Sequence, residues 1–272
     1  MSISADVVVC EGVVKIYETA TSRVQAVRGV DLRVPSGRPV AVTGPSGSGK
    51  SSLLRIIAGL SRPTAGRIEV GGIDLTELRW WQRRQVARRL VAHVEQRPED
   101  NLLSHLASAD QVRHAAVRRG ADPGLAAQLL RQLGLAGRLD HLPHELSGGE
   151  QQRLAFARAA VGGTRVIVAD EPTAELDPGS ASLVLDVIDE LGEQGITTLV
   201  ATHDPRVIER LDIEVVLRDG AIGSITGDDG TLAVIDSSGR LQLPPAIRAK
   251  FVRGTARLEW DDDEDVLRVE RP

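Results

Sequence analysis

The chain has 272 residues, with 33 lysines and arginines against 38 aspartates and glutamates for a net charge of −5, so it lacks the basic excess that would draw it as a whole to nucleic acid. Its single cysteine, Cys10, excludes an intrachain disulfide and fits a reducing compartment, and no window comes near the roughly 18 apolar residues of a membrane span. The length can bury a large core and still leave room for one main domain and a small appendage.

In chain order, segments 6–16, 24–34 and 66–73 read as short antiparallel strands, a β-subdomain beside the main sheet. The run VVVC ending at Cys10 has the outline of a lipoprotein cleavage box. It has no basic residue before it and is too short for a signal peptide, so it is read as a buried first strand. Apolar runs at 38–44, 165–170 and 196–204 alternate with helical patterns at 51–59, 148–160 and 180–191. Strands apolar on both faces are strands covered on both sides, which predicts an α/β domain with a largely parallel sheet. The arginine-rich LRWWQRRQVARRL (78–90) reads as a helix with its arginines in water and its tryptophans packed, and residues 98–145 as a helical insertion rich in Ala, Leu and Arg. The pattern over 213–225 turns at Asp219-Gly220, TGDDG (226–230) reads as a linker, and 231–272 as a separate unit of period-two strands.

Two stretches predict phosphate chemistry. GPSGSGKSS, from Gly44 through Pro45, Ser46, Gly47, Ser48, Gly49, Lys50 and Ser51 to Ser52, follows an apolar strand and opens a helix. In that setting backbone N–H groups close around phosphates, Lys50 reaches the β- and γ-phosphates, and the Ser51 hydroxyl binds Mg²⁺. Further on, VIVADEPT (166–173) is a buried strand ending in two carboxylates where α/β sheets place their ligands. Asp170 is expected to hold the Mg²⁺ shell and Glu171 to orient and deprotonate the attacking water.

A third stretch, HELSGGEQQRLAFARA, places Ser147, Gly148 and Gly149 at the opening of another helix, the outline of a second anion site. It brings no lysine and no metal ligand of its own, so a symmetric dimer in which each copy completes the other's site makes physical sense of it. Four single residues are open on their own. Gln96 is a ligand of Mg²⁺ or water, or a loop hydrogen-bonder; His203 contacts the γ-phosphate, or is structural. Tyr17 stacks on adenine, or is a strand tyrosine; Asp177 belongs to the site, or is the N-cap of the helix starting at Pro178.

Tyr17, Lys50, Gln96, LSGGE, ADE, AELD and His203 occur in the order and spacing of the aromatic loop, Walker A, Q-loop, signature, Walker B, D-loop and switch histidine of the ATP-binding-cassette (ABC) family. The chain resembles that family over residues 6–225. The resemblance implies a P-loop NTPase fold with antiparallel β and helical subdomains, and ATP with Mg²⁺ as ligands. Gln96 would then join Ser51 and Asp170 at the metal. Head-to-tail packing would place Ser147, Gly148 and Gly149 on the γ-phosphate of ATP held by the Lys50 of a second copy. Residues 26–75 with NLL (101–103) are similar to the lipoprotein-release and macrolide-export type, whose permeases are FtsX-like. Glu95 departs from the pattern, standing where an aromatic residue is usual before Gln96, which marks 95–105 as a specialised permease contact.

The expected layout is an ATP-binding domain over 1–227 and a small β-rich module over 228–272. The second resembles AbrB-like swapped-hairpin modules through DSSGRLQLP (236–244) followed by AIR. Seven basic against ten acidic residues over 228–272 oppose tight phosphate-backbone binding, so dimerisation is favoured there over DNA binding. The resemblance implies the ATP-hydrolysing subunit of a transporter, cytoplasmic and peripheral on the inner face of the membrane, working as a homodimer beneath a separate integral-membrane permease. The rival reading is a soluble ATP-switched regulatory dimer whose tail engages DNA or protein.

Overall fold

In the computed structural model, which describes residues 6–18, 22–228, 230–234, 257–261 and 266–270, the two N-terminal β-branched runs pair along most of their length. Strands β1 (Asp6–Glu18) and β2 (Arg23–Pro35) are antiparallel neighbours, and β1 pairs on its other side with a later antiparallel strand at Ala65–Val70. Cys10 is buried in β1, where burial first and the nearby Asp31 second push its thiol up to about 12. It is a strand residue.

After β2 come β3 (Val40–Thr43), α1 (Lys50–Ile57), β4 (Ala65–Val70) and the two-residue β5 (Ile73–Asp74), which closes the small sheet in the order β2-β1-β4-β5. Next are α2 (Trp80–Leu90), β6 (Val91–Val94), α3 (Ser108–Arg119), α4 (Ala126–Gln132) and α5 (Gly148–Ala160). The chain continues through β7 (Val166–Asp170), α6 (Pro178–Glu193), β8 (Thr197–Ala201), α7 (Pro205–Arg210), β9 (Ile213–Arg218), β10 (Ala221–Gly227) and β11 (Gly230–Ala233). The main sheet runs β11-β10-β9-β3-β8-β7-β6, parallel from β9 to β6 and antiparallel at the β10 and β11 edge.

Alternate residues of the central strands enter two different cores, which is why these runs are apolar throughout. Val40 and Val42, Val166 and Val168, and Leu199 and Ala201 pack with α1 and the small antiparallel sheet. Ala41, Ile167, Ala169 and Val200 pack with residues of α3 to α6. An eight-residue helix such as α1 is too short to persist alone in water. It stands because Leu53, Leu54, Ile56 and Ile57 are all buried, each contributing about 1.5–3 kcal/mol.

Two expectations are corrected. Residues 226–230 are not a linker: Thr226 pairs with Thr231 and Gly227 with Gly230, a hairpin that adds β11 to the main sheet. Nor are the tryptophans of 78–90 packed. Trp80 is 66% and Trp81 49% exposed, while Arg83 takes the buried face beside Ala87. The Asp219-Gly220 turn is as expected, with φ of 49° and 83° joining β9 to β10, the left-handed pair of a type I′ hairpin.

Beyond Val234, strands β12 (Arg257–Asp261) and β13 (Val266–Glu270) form an antiparallel ribbon in which Leu258 faces Val269 and Trp260 faces Leu267. The AbrB-like stretch 236–248 and residues 262–265 lie outside the described residues.

Candidate functional site

The phosphate loop leaves β3 at Thr43 and enters α1 at Lys50, and two of its glycines are dictated by backbone approach. A Cβ on Gly44, at φ 133°, would lie 2.1 Å from the Leu217 carbonyl oxygen; one on Gly49, at φ 102°, would lie 2.2 Å from that of Ala26. Only glycine combines those angles with that contact. Loop and α1 are tied to the neighbouring hairpin by Gly220 N–H donating to the Ser48 carbonyl at 3.1 Å. Lys50 Nζ donates to the loop's own carbonyls, Gly44 at 2.7 Å and Pro45 at 3.1 Å. The ammonium is therefore already held over the cradle.

Parallel pairing of β7 with β8 and of β8 with β3 brings the carboxylates to the same end of the sheet. Ser51 Oγ donates to Asp170 Oδ2 at 2.9 Å. These are oxygen donors of the kind a hard divalent cation takes, so the pair fits Mg²⁺. Glu171 adopts φ 45° and its N–H donates to the Ala201 carbonyl at 2.8 Å. A left-handed non-glycine residue costs on the order of 1–3 kcal/mol, and here the neighbouring strand holds it in place. The conformation aims the carboxylate at His203, whose Nδ1 lies 2.6 Å from Glu171 Oε1. His203 in turn follows β8 just before Asp204, which caps α7 by accepting from Arg206 N–H.

Tyr17, all nine residues of Gly44–Ser52, Gln96, Asp170, Glu171 and His203 line one recess of about 760 Å³. Tyr17 comes from the small sheet, 38% exposed, with Lys15 Nζ 5.0 Å from its ring centre. Ala26 of β2 lines the recess beside it. Gln96 stands on an exposed loop after β6 that Asn101 holds. The Asn101 carboxamide accepts from Glu95 N–H at 3.1 Å and donates to the carbonyls of Glu95 at 3.4 Å and Arg97 at 3.2 Å, bracketing Gln96 from both sides. Asn101 was missed as a positioning residue in the sequence. Its only signal there is an asparagine ending a short polar turn.

Ser147, Gly148, Gly149 and Asp177 do not line that recess. They form a second group at the adjoining N-termini of α5 and α6, where a Cβ on Gly149 would come within 2.8 Å of Ser180 and one on Gly148 within 3.4 Å of Leu176. Ser147 is the N-cap of α5: its Oγ accepts from Glu150 N–H, and Glu150 accepts from Ser147 N–H in return. Those hydrogen bonds, led by the Ser147 N–H and joined by Arg138, hold the Glu150 carboxyl below its usual range. Helix geometry leaves the amides of Gly148 and Gly149 without an intrahelical partner. Asp177 caps α6, accepting from Gly179 and Ser180 N–H at 3.0 and 3.1 Å, the capping role its position before Pro178 allowed.

The family described as ABC transporter matches residues 27–174, more than half of the chain. The chain belongs to the ABC transporter family. It is an ATP-binding and ATP-hydrolysing subunit of that family, with ATP and Mg²⁺ as its ligands. The lipoprotein-releasing system ATP-binding protein LolD of Legionella pneumophila is 41% identical over 213 residues, 76% of this chain and 93% of LolD. The macrolide export ATP-binding/permease protein MacB of Hyphomonas neptunium is 39% identical over 220 residues, 79% of this chain and 34% of MacB. Among solved structures, a dimeric ATP-binding cassette in a post-hydrolysis state with ADP and Pi superposes at TM-score 0.72 with 31% identity, covering 81% of this chain and 98% of that one.

Proposed function

We propose that this chain drives a separate membrane permease of the FtsX-like type from the inner face of the membrane, two copies closing head to tail around two Mg-ATP. The similarity to LolD and to the cassette part of MacB supports the permease type. None of the described helices is long and apolar enough to cross a membrane. We also place the boundary of the ATP-binding domain after Val234, since β11 completes the main sheet, rather than after 227.

The observation that carries the proposal is the division of the phosphate-binding groups into two places. Lys50, Ser51, Asp170, Glu171 and His203 share one recess, while Ser147, Gly148 and Gly149 stand apart at a helix N-terminus that has nothing of its own to bind. A second copy turned head to tail makes both halves whole. Mg²⁺, when bound, neutralises charge that builds on the β- and γ-phosphate oxygens. Within this chain, Lys50 exchanges its loop carbonyls for phosphate oxygens, and Ser51, Asp170 and Gln96 supply the oxygen ligands. Glu171 Oε1 takes the proton of the attacking water while His203 holds that carboxylate and reaches the γ-phosphate. Tyr17 receives the base by stacking. The first-turn amides of Gly148 and Gly149, with the Ser147 hydroxyl, meet the same γ-phosphate from the other copy, with Asp177 at the seam.

Complementation tests this. A Lys50→Ala chain and a Ser147→Arg chain are each expected to be inactive, and mixing them should restore ATP hydrolysis, because the heterodimer keeps one site with both halves intact. Mixed dimers that form and stay inactive would place Ser147 with its own nucleotide.

A further inference from the structure

Arg138 lies nine residues before Ser147, outside every motif on which the nucleotide site draws. It ends a short 3₁₀ turn, Ala136–Arg138, in the connection between α4 and α5. Its Nε donates to Glu150 Oε1 at 2.8 Å, while the other oxygen of that carboxylate, Oε2, accepts the Ser147 N–H at 2.8 Å. The two oxygens of one carboxylate therefore do different things. One closes the capping box that fixes Ser147, and the other is tied to a cation. The Glu150 side chain is only 18% exposed against 43% for Arg138, so solvent and salt screen this pair less than an ion pair on open surface.

The need for that cation follows from where Glu150 stands. It is the third residue of α5, directly after Gly148 and Gly149, whose amides have no intrahelical partner. A carboxylate in the first turn suits the helix dipole and completes the cap. For an arriving phosphate it is a like charge beside the amides that must receive it, and like charges at short range repel. We propose that Arg138 is a positioning residue of the Ser147 half-site: it neutralises Glu150 and holds the carboxylate on the Ser147 N–H, so that the start of α5 keeps its capping box and still admits a polyphosphate. That the phosphate belongs to ATP on a second copy rests on the function proposed above. The effect of Arg138 on a phosphate brought to Ser147 does not. Arg138 acts through Glu150, since its Nε is turned to that carboxylate.

The test is steady-state ATP hydrolysis by the full chain, with Mg-ATP binding measured alongside. Arg138→Ala should lower kcat by about tenfold or more, as expected for losing a charge-assisted hydrogen bond. Affinity for Mg-ATP, set by the recess around Lys50, should not change. Adding Glu150→Gln to Arg138→Ala should recover most of the lost rate, because glutamine has no charge to neutralise and keeps an oxygen for the Ser147 N–H. The deficit of Arg138→Ala should also shrink as salt rises, since ions screen a bare carboxylate. Thermal unfolding checks both proteins, and if Arg138→Ala does not fold, Arg138→Gln with and without Glu150→Gln gives the same reading. An unchanged kcat in the single variant, or a loss that Glu150→Gln does not relieve, would overturn the proposal; the second result would make Arg138 a direct phosphate contact or a brace for the fold. The rescue is read within one kind of chain and does not depend on which copy holds the ATP. Failed complementation of Lys50→Ala by Ser147→Arg beside a successful rescue would strike the head-to-tail reading and leave the role of Arg138 in place.

Discussion

Glu171 is held in a left-handed backbone conformation by its N–H bond to Ala201 and touches His203 at 2.6 Å. Replacing it by glutamine keeps the shape and the backbone bond while removing the base. Glu171→Gln should therefore bind Mg-ATP and lose turnover by about 10²–10⁴-fold, read by single-turnover hydrolysis beside nucleotide binding. Near wild-type turnover would take Glu171 out of the chemistry. Asn101 acts at one remove, through the loop carrying Gln96. Asn101→Ala deletes the hydrogen bonds to Glu95 and Arg97, and kcat is expected to fall about tenfold, the equivalent of roughly one such bond's net contribution. KM for ATP should change little, since the cradle around Lys50 is untouched. A rise in KM with kcat unchanged would contradict a positioning role. The glycines, Lys50 and the Asp170-Glu171 pair were legible in the sequence because contiguous residues carry that chemistry. Asn101 was not, because its function lies in three bonds across a turn that spacing alone does not reveal.

At the scale of elements, α5 and α6 start side by side, and the two glycines of LSGGE are not equivalent there. A methyl group on Gly149 would stand 2.8 Å from the Ser180 side chain, and one on Gly148 3.4 Å from Leu176. Gly149→Ala should therefore force the helices apart and cost about 1–3 kcal/mol as overpacking does, measured by denaturant unfolding, whereas Gly148→Ala should cost well under 1 kcal/mol. Equal losses in the two would contradict the packing described here. The helices and strands themselves were readable from period and from residues apolar on both faces. Two readings failed for physical reasons. TGDDG has the residues both of a linker and of a tight hairpin, and only pairing of the following strand decides between them. Trp80 and Trp81 have the apolarity of core residues, but on α2 the buried face falls on Arg83 and Ala87, and hydrophobicity does not tell a core from a surface awaiting a partner.

For the whole molecule, the two cores on either side of the main sheet make one scaffold that holds the recess around Lys50 and, apart from it, the adjoining N-termini of α5 and α6, and the head-to-tail dimer proposed above rests on that separation. The ABC motifs made this reading available in the sequence because their order and spacing are specific, and the match over residues 27–174 bears out the family. The ribbon of β12 and β13 showed in the sequence as period-two alternation. The account's central claim is that ATP joins two copies through Ser147 and its helix. The most direct measurement is the solution mass of the Glu171→Gln chain ending at Val234, a cut that keeps every strand of the main sheet, with and without Mg-ATP, beside the same chain carrying Ser147→Arg. The account predicts that mass doubles only when Mg-ATP is present and only when Ser147 is intact. A chain that binds ATP and remains monomeric, or one that dimerises equally well with Ser147→Arg, would contradict it.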